Sequence, residues 1–268
     1  MEIRSKKLRL EKYLLYSLVA VGLTIIISNY FGQETSNILS SVLFFIIPAA
    51  LVILSLTMTI RFRVGGDHGK AWILFVPFVT SWFIAEQIWM VYDVIYNIDP
   101  WPSEADFFYI AGYPILFAFS IFYLKPLRKA ISKKLVICAS IIVVITLIPA
   151  LEVALGTKAD PFKVALATSY PVLDAIVLCP AIIGVVLFFK GEVNFLWSLI
   201  CIAIIFNVVA DTSFLILSID DSYYVGHPID ILYLWAYIMF SFGVYSHLTI
   251  FRKYNTKENP YYDQEKLR

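Results

Sequence analysis

Charged residues are scarce in this chain. They make up 15% of its 268 residues, against about a quarter in soluble globular domains. Apolar residues make up 60%, and the mean hydropathy is +0.79. A soluble domain of this length cannot bury so much apolar surface, so we expect lipid to be the solvent. The net charge is only +1, and the composition therefore gives no support to nucleic-acid binding.

Cysteine and histidine are also rare, with three of each. The cysteines lie in apolar runs at spacings that fit no zinc or haem pattern, and we expect them to be reduced and buried. They are Cys138, Cys179 and Cys201. The histidines are too scattered for a convincing metal site. The sequence therefore predicts no metal centre, and it does not indicate a cofactor.

Continuous apolar runs occupy most of the chain, and eight of them have about the 20 residues that a helix needs to cross a bilayer. Backbone groups in lipid must be satisfied within their own segment, so these runs are predicted to be helices. The predicted spans are 13–32, 37–60, 71–95, 106–124, 134–155, 163–189, 194–218 and 229–251. The predicted fold class is all-α, a single polytopic membrane bundle of eight transmembrane helices within residues 1–268.

The distribution of lysine and arginine predicts the orientation of these spans. With a cytoplasmic N-terminus, the inner segments hold 19 of the 21 basic residues, and only Lys158 and Lys163 fall outside them. Those segments are 1–12, 61–70, 125–133, 190–193 and 252–268, and Lys134 at the start of the fifth span is counted with them. This asymmetry predicts a multi-pass protein of the cell membrane with both termini in the cytoplasm. The last of these segments is short and polar, and we expect no output domain in it.

Two stretches of the sequence match each other. Glu86 aligns with Asp211 at an offset of 125, and the pattern Asp-x-x-Tyr-x-x-x-Tyr recurs at an offset of 124. That pattern comprises Asp106, Tyr109 and Tyr113 in one copy and Asp230, Tyr233 and Tyr237 in the other. We predict two parallel four-helix repeats, about 1–130 and 131–251, related by a pseudo-twofold along the membrane normal. Sites tend to form where such halves meet.

Carboxyl groups inside the spans are the strongest functional signal. Glu86, Asp93, Asp174 and Asp211 lie within predicted helices, with no basic residue at their depth. A carboxylate at the centre of a membrane helix costs roughly 2.5–3.5 kcal/mol on insertion scales. We therefore expect each to face the bundle interior, where it is protonated, hydrogen-bonded, or bound to a cation or ligand.

Helical spacing places these carboxyls on shared faces with aromatic and polar residues. The same faces converge on the outer half of the bundle, which predicts an outward-facing acidic and aromatic cavity. The candidate ligand-binding residues are Glu86, Trp89, Asp93, Asp106, Tyr109, Tyr113, Tyr170, Asp174, Asn207, Asp211, Asp230, Tyr233 and Tyr237. We identify no catalytic residue.

Structural roles compete with ligand binding at these positions. Asp106 follows Ser103 as in a capping box, and Asp230 also begins a predicted helix, so both suit helix N-termini. For Glu86 and Asp211 the alternative is a structural role, in which each carboxyl forms a hydrogen bond to a neighbouring helix. The tyrosines fit the interfacial aromatic belt, and we assign Trp101 to that belt.

The motifs in this region resemble a known family. Ala85-Glu86-x-x-Trp89 precedes Pro102-Ser103-x-Ala105-Asp106-x-x-Tyr109-x-x-Gly112-Tyr113-Pro114, and Tyr170-Pro171-x-x-Asp174 follows later. The order is similar to a multi-span N-terminal module of bacterial diguanylate cyclase and phosphodiesterase (GGDEF/EAL) proteins. The resemblance covers roughly residues 70–250. It implies a sensor-like module in signal transduction. Without an output domain, such a module would act through a separate membrane or cytoplasmic partner.

Three other functions stay open. Asp211, Gly226 and Tyr233 resemble one half of the site in eight-span lysoplasmalogenase-type hydrolases, with Glu86 in place of an aspartate in the other half. Internal repeats and membrane carboxyls also fit a proton- or cation-coupled transporter. The fourth possibility is an accessory subunit of a larger membrane complex. We lean towards a function without catalysis, in which the cavity binds a small molecule or a cation.

Overall fold

The computed structural model describes residues 2–62, 66–189 and 193–254. These ranges form eight long helices and no strand. The helices are α1 (Glu2–Tyr30), α2 (Gln33–Phe62), α3 (Gly66–Met90), α4 (Glu104–Leu124), α5 (Lys133–Gly156), α6 (Pro161–Leu187), α7 (Asn194–Ile219) and α8 (Asp230–Tyr254). All eight contain a segment long and apolar enough to cross a membrane. The predicted all-α polytopic membrane fold is therefore confirmed.

The helices begin where the sequence supplies caps. Ser103 and Asp106 form a capping box at the start of α4. Ser132 accepts a hydrogen bond from the backbone of Leu135 in α5, and Asp160 accepts one in α6, just before a proline at the first helical position. Such caps satisfy backbone N–H groups that have no partner within the helix.

The eight helices alternate in direction. Short connections join consecutive helices that pack together, except at α4–α5, where α4 packs on α6 instead and the first half of α6 lies beside the start of α4. The connections α1–α2, α3–α4, α5–α6 and α7–α8 therefore meet at one end of the bundle, which we call the loop end. Both described termini lie at the opposite, terminal end. Helix α2 also packs on α8, and α6 packs on α4, so each predicted half contacts the other.

Aromatic side chains fill the bundle between its two ends. Phe78 lies 4.7 Å from Trp82 in α3, measured between ring centroids, and Phe75 lies 4.8 Å from Phe119 in α4. Trp72 and Trp197, which the predicted repeat pairs, are both fully buried. Helix α5 instead exposes most of its apolar side chains. Cys138 lies on that exposed surface, and Cys179 and Cys201 are half-buried, so our expectation of buried cysteines is wrong for Cys138 and only partly met by the other two.

A loop at the loop end ties α8 to α1 and α2. The carbonyl oxygen of Gly226 accepts hydrogen bonds from Asn29 at 2.7 Å and Ser36 at 2.6 Å. The N–H of Gly226 donates to Asp230 at 2.8 Å. Asp230 also accepts hydrogen bonds from Ser40 and Tyr223. We call this arrangement the Gly226 latch; it joins the end of one predicted half to the start of the other.

Gly226 is required in the latch for two reasons. Its φ is +88°, which side chains other than glycine rarely adopt. A Cβ at this position would also lie 2.6 Å from the backbone carbonyl carbon of Ser36. Gly32 is the natural comparison, because its φ is +110° and a Cβ there would meet nothing within 4 Å.

We predict that Gly226→Ala destabilises the protein much more than Gly32→Ala. The Gly32 variant carries only the backbone strain, roughly 1–2 kcal/mol. The Gly226 variant adds a clash with backbone that cannot move away. Thermal unfolding of both variants in the same detergent tests this expectation. Equal melting temperatures would show that the close approach to Ser36 does not constrain the fold.

Candidate functional site

A cavity of about 90 Å³ lies towards the loop end, where α3 and α4 of one predicted half meet α7 and α8 of the other. Ten of the thirteen candidate residues line it: Glu86, Trp89, Asp106, Tyr109, Tyr113, Tyr170, Asn207, Asp211, Tyr233 and Tyr237. Helix α2 adds Ser41 and Phe44 to the wall. The side chains brought together by helical spacing in the sequence thus surround one space.

Each of the two repeat-related carboxyls accepts a hydrogen bond from the other half. The Tyr237 hydroxyl of α8 donates to Glu86 Oε1 of α3 at 2.7 Å. The Tyr113 hydroxyl of α4 donates to Asp211 Oδ2 of α7 at 3.1 Å. Tyrosine is well suited to this role, because its ring is apolar and its hydroxyl can donate to a carboxyl.

Each carboxyl also has a second tyrosine beside it, which comes from its own predicted half. The Tyr233 hydroxyl donates to Asp211 Oδ1 at 2.5 Å, and Tyr109 lies beside Glu86. These contacts follow the offsets of 124 and 125 residues that the sequence shows. The repeat itself stays a prediction, and the hydrogen-bond pattern is what an approximate twofold axis through the cavity would produce.

Asp106 combines two of the roles considered from sequence. Its Oδ2 accepts a hydrogen bond from the backbone N–H of Ser103 at 2.8 Å, which forms half of the capping box. Its Oδ1 accepts a hydrogen bond from Tyr170 of α6. Asp106 is 5% exposed and lies in the cavity wall, so the cap holds it in place beside the cavity.

Asp174 lies behind the wall, on the side of Asp211. It is fully buried, and neither carboxyl oxygen has a hydrogen-bond partner within 3.5 Å among the described residues. Asp211 and Tyr113 are its polar neighbours. A buried carboxyl needs hydrogen-bonding neighbours, and Tyr113 and Asp211 are the groups that can supply them here.

Asp93 and Asp230 do not reach the cavity wall. The last turn of α3 continues as a π-helix over Val91–Ile95, in which hydrogen bonds span five residues. The wider turn moves Asp93 off the stripe of Glu86 and Trp89, towards Asn37 of α2. Asp230 is fully buried and occupied by the Gly226 latch. Burial and the charge of Asp230 raise the pKa of Tyr223 well above its usual value, so Tyr223 stays a donor in the latch.

Several wall residues lay outside the candidate set. They are Ser41, Phe44, Trp82, Met90, Trp101, Phe214, Tyr223, Val225 and Ala236. Trp82 and Phe214 share helical stripes with the carboxyls, a signal that the sequence already contains. Trp101 and Tyr223 come from connections, where no periodicity exists. The assignment of Trp101 to the interfacial belt is wrong, because Trp101 is 7% exposed and packs on Phe214 at 5.5 Å between ring centroids.

The cavity wall contains acidic side chains but no basic ones among the described residues. Glu86, Asp106 and Asp211 contribute carboxyls, and no lysine, arginine or histidine lines the cavity within the described ranges. Trp101 Nε1 and Asn207 Nδ2 are buried donors without a hydrogen-bond partner in the described part of the chain. The space therefore presents carboxyl groups together with two unused donors.

Comparison with known proteins identifies no relative: no family model, curated protein or solved structure matches this chain.

We predict that Tyr113→Phe and Tyr237→Phe each lower the free energy of unfolding by roughly 1–3 kcal/mol, because each leaves a buried carboxyl short of a donor. Tyr245→Phe is the matched control, since Tyr245 lies on α8 and is 47% exposed. Denaturation of the three variants in one detergent gives the comparison. If all three unfold alike, the cross-half hydrogen bonds do not support the fold.

Proposed function

We propose that this chain is an integral membrane ligand-binding module of sensor type. The observation that carries this proposal is the cavity itself, which is lined by carboxyls and tyrosines from both halves and is free of basic side chains over the described residues. Intramembrane ionisable groups are functional candidates by default, since they are costly to keep in lipid. In accordance with the basic residues, we place the cavity in the half of the membrane away from the cytoplasm.

The same contacts offer a way to convert binding into a change of shape. Tyr237 and Tyr113 tie the two halves together through Glu86 and Asp211. A ligand that takes up these carboxyls competes with the tyrosines and weakens the ties between the halves. It then favours whichever arrangement of the halves binds it better.

Helix α8 connects the cavity to the other end of the bundle. It carries Tyr233 and Tyr237 at the cavity, and at the terminal end its Leu248 carbonyl accepts a hydrogen bond from Arg61 of α2 at 2.9 Å. A shift of α8 would therefore alter the cytoplasmic face. We propose that a separate protein partner reads this change.

The central test compares wild type with the Glu86→Gln, Asp211→Asn double variant. Both substitutions keep the size of the side chain and replace the carboxyl with an amide. We expect native mass spectra in mild detergent to show a discrete adduct on wild type that is lost in the variant. Glu152→Gln is the matched control, because Glu152 is exposed on α5. Retention of the adduct by the double variant would contradict the proposal.

A second candidate, an intramembrane hydrolase, is favoured by one observation. Asp174 and Asp211 form a buried pair, with Tyr113 and Tyr233 beside Asp211. Two adjacent carboxyls can hold one proton between them, an arrangement that supports general acid–base catalysis. This pair includes Asp174, whereas the lysoplasmalogenase resemblance uses Glu86.

The hydrolase candidate predicts that purified protein releases aldehyde from a lysoplasmalogen. Asp174→Asn and Asp211→Asn would each abolish the release, whereas Glu152→Gln would not. Aldehyde can be followed with a coupled dehydrogenase. Absence of release by folded wild type, with folding verified by its melting temperature, removes this candidate and leaves the binding module.

A transporter receives less support. A transport path needs polar groups from the cavity to the terminal end. In α3 that region is occupied instead by Phe78, Phe75 and Trp72, each packed on the next at 5.3 Å between ring centroids.

A further inference from the structure

Six aromatic side chains form a connected group in the cavity wall. Trp89 packs against Phe214 at 6.1 Å and Tyr109 at 6.4 Å, and Trp101 packs against Phe214 at 5.5 Å between ring centroids. We call the group the aromatic collar: Trp89, Trp101, Tyr109, Tyr170, Phe214 and Tyr223. Ring faces carry partial negative charge, so such a group favours a cation, above all one with little hydration. Lys163 Nζ already lies 5.3 Å from the centroid of the Trp101 ring, so the other five rings are the ones that remain for an occupant.

The collar adjoins the carboxyls. Trp89 follows Glu86 by three residues in α3, and Phe214 follows Asp211 by three residues in α7, so the Cα atoms in each pair are separated by about 4.5 Å of helical rise, and all four side chains line the cavity. A cation in the cavity would meet carboxyl oxygens on one side and ring faces on the other. This combination is the one that binds organic ammonium groups.

A bare metal ion fits the cavity less well. Calcium and magnesium require six or more oxygen ligands at 2.0–2.6 Å, with some supplied by water. In the described residues, no group of three or more histidine, cysteine or acidic side chains is arranged to hold a metal ion. Glu86 and Asp211 are also each engaged by tyrosines from two helices.

The two unused donors add a further requirement on the ligand. Trp101 Nε1 and Asn207 Nδ2 belong to side chains that are 7% and 3% exposed, and both lie in the wall. Buried donors are nearly always hydrogen-bonded, so an occupant with an acceptor oxygen would satisfy one of them. The volume of about 90 Å³ is roughly six to nine times the minimum that one water needs, which suits a compact solute.

We propose that the cavity binds a small ammonium compound that also carries a hydroxyl or carbonyl oxygen. The ammonium group lies between the carboxyls and the aromatic collar, and the oxygen accepts a hydrogen bond from Trp101 or Asn207. This inference rests on the proposed function and names the ligand class of the same site. The chemistry is shared by free amino alcohols and by the headgroups of zwitterionic phospholipids.

The test uses isosteric probes on wild-type protein in phospholipid-free maltoside detergent. Choline and ethanolamine carry both required groups. The neutral isostere 3,3-dimethylbutan-1-ol lacks the charge of choline, and propyltrimethylammonium lacks its hydroxyl. By calorimetric titration we expect the neutral isostere to bind about 30-fold more weakly than choline, and propyltrimethylammonium about 3- to 10-fold more weakly. The proposal is overturned if neither choline nor ethanolamine binds, or if the neutral isostere binds as well as choline.

Variants test which residues contact the ammonium group of the ligand and which contact its oxygen. Glu86→Gln should weaken choline at least tenfold, whereas Glu152→Gln should leave it unchanged. Trp101→Phe keeps the ring and removes the N–H, and Asn207→Leu removes the amide at similar size. In one of these two variants, choline should bind about as weakly as propyltrimethylammonium, because the contact to the hydroxyl is lost. The affinity for propyltrimethylammonium should be the same as in wild type. If neither variant changes that ratio, the assignment of the oxygen contact is wrong.

Added lipids distinguish the sources of the headgroup. If phosphatidylcholine or phosphatidylethanolamine displaces choline while phosphatidylglycerol does not, the natural occupant is a membrane lipid; otherwise it is a soluble amine. A native adduct lost in the Glu86→Gln, Asp211→Asn variant, but identified as a metal ion or neutral molecule, would overturn this inference and leave the proposed function intact. Absence of any adduct and of any probe binding would remove both.

Discussion

A carboxyl group buried in a membrane bundle must receive its hydrogen bonds from a neighbouring helix, and this constraint organises the structure. Glu86 and Asp211 lie in α3 and α7, and their donors come from α4 and α8. One donor to each carboxyl belongs to the opposite predicted half. The contacts that satisfy the carboxyls are therefore also contacts that hold the halves together, and the cavity lies where they meet.

This sharing has a consequence for how the protein could respond. In a soluble protein, a buried hydrophobic core would hold the halves together regardless of what occupied a polar site. Between helices in lipid the apolar driving force is much weaker, so polar contacts and close packing matter more. An occupant of the cavity, as proposed above, would act directly on one of the main interactions between the halves, and α8 would extend that change towards Arg61 and Leu248 at the terminal end.

The sequence was sufficient for the eight spans, because hydropathy depends on composition and length alone. Helical spacing also gathered Glu86 and Asp211 with their tyrosines. It failed for Asp93, since a π-helical turn changes the period, and such a turn leaves no mark in the hydropathy pattern. It also missed Trp101 and Tyr223, because connections have no period from which a direction can be inferred.

The predicted twofold arrangement has different side chains at one pair of equivalent positions, so the two sides of the cavity are not alike. Tyr170 of α6 donates a hydrogen bond to Asp106, and Ser40 of α2 donates one to Asp230, the residue that corresponds to Asp106 in the repeat. Tyr170 and Ser40 are therefore equivalent, and this equivalence aligns α6 with α2 at an offset of 130 residues. The same offset pairs Asp174 with Phe44. A second buried carboxyl thus lies beside Asp211, whereas the equivalent position in the other predicted half is the ring of Phe44 in the cavity wall. A cation bound in such a cavity, as proposed, would meet unequal surroundings on its two sides and would act on the two halves differently. In a symmetric cavity, binding would affect both halves equally.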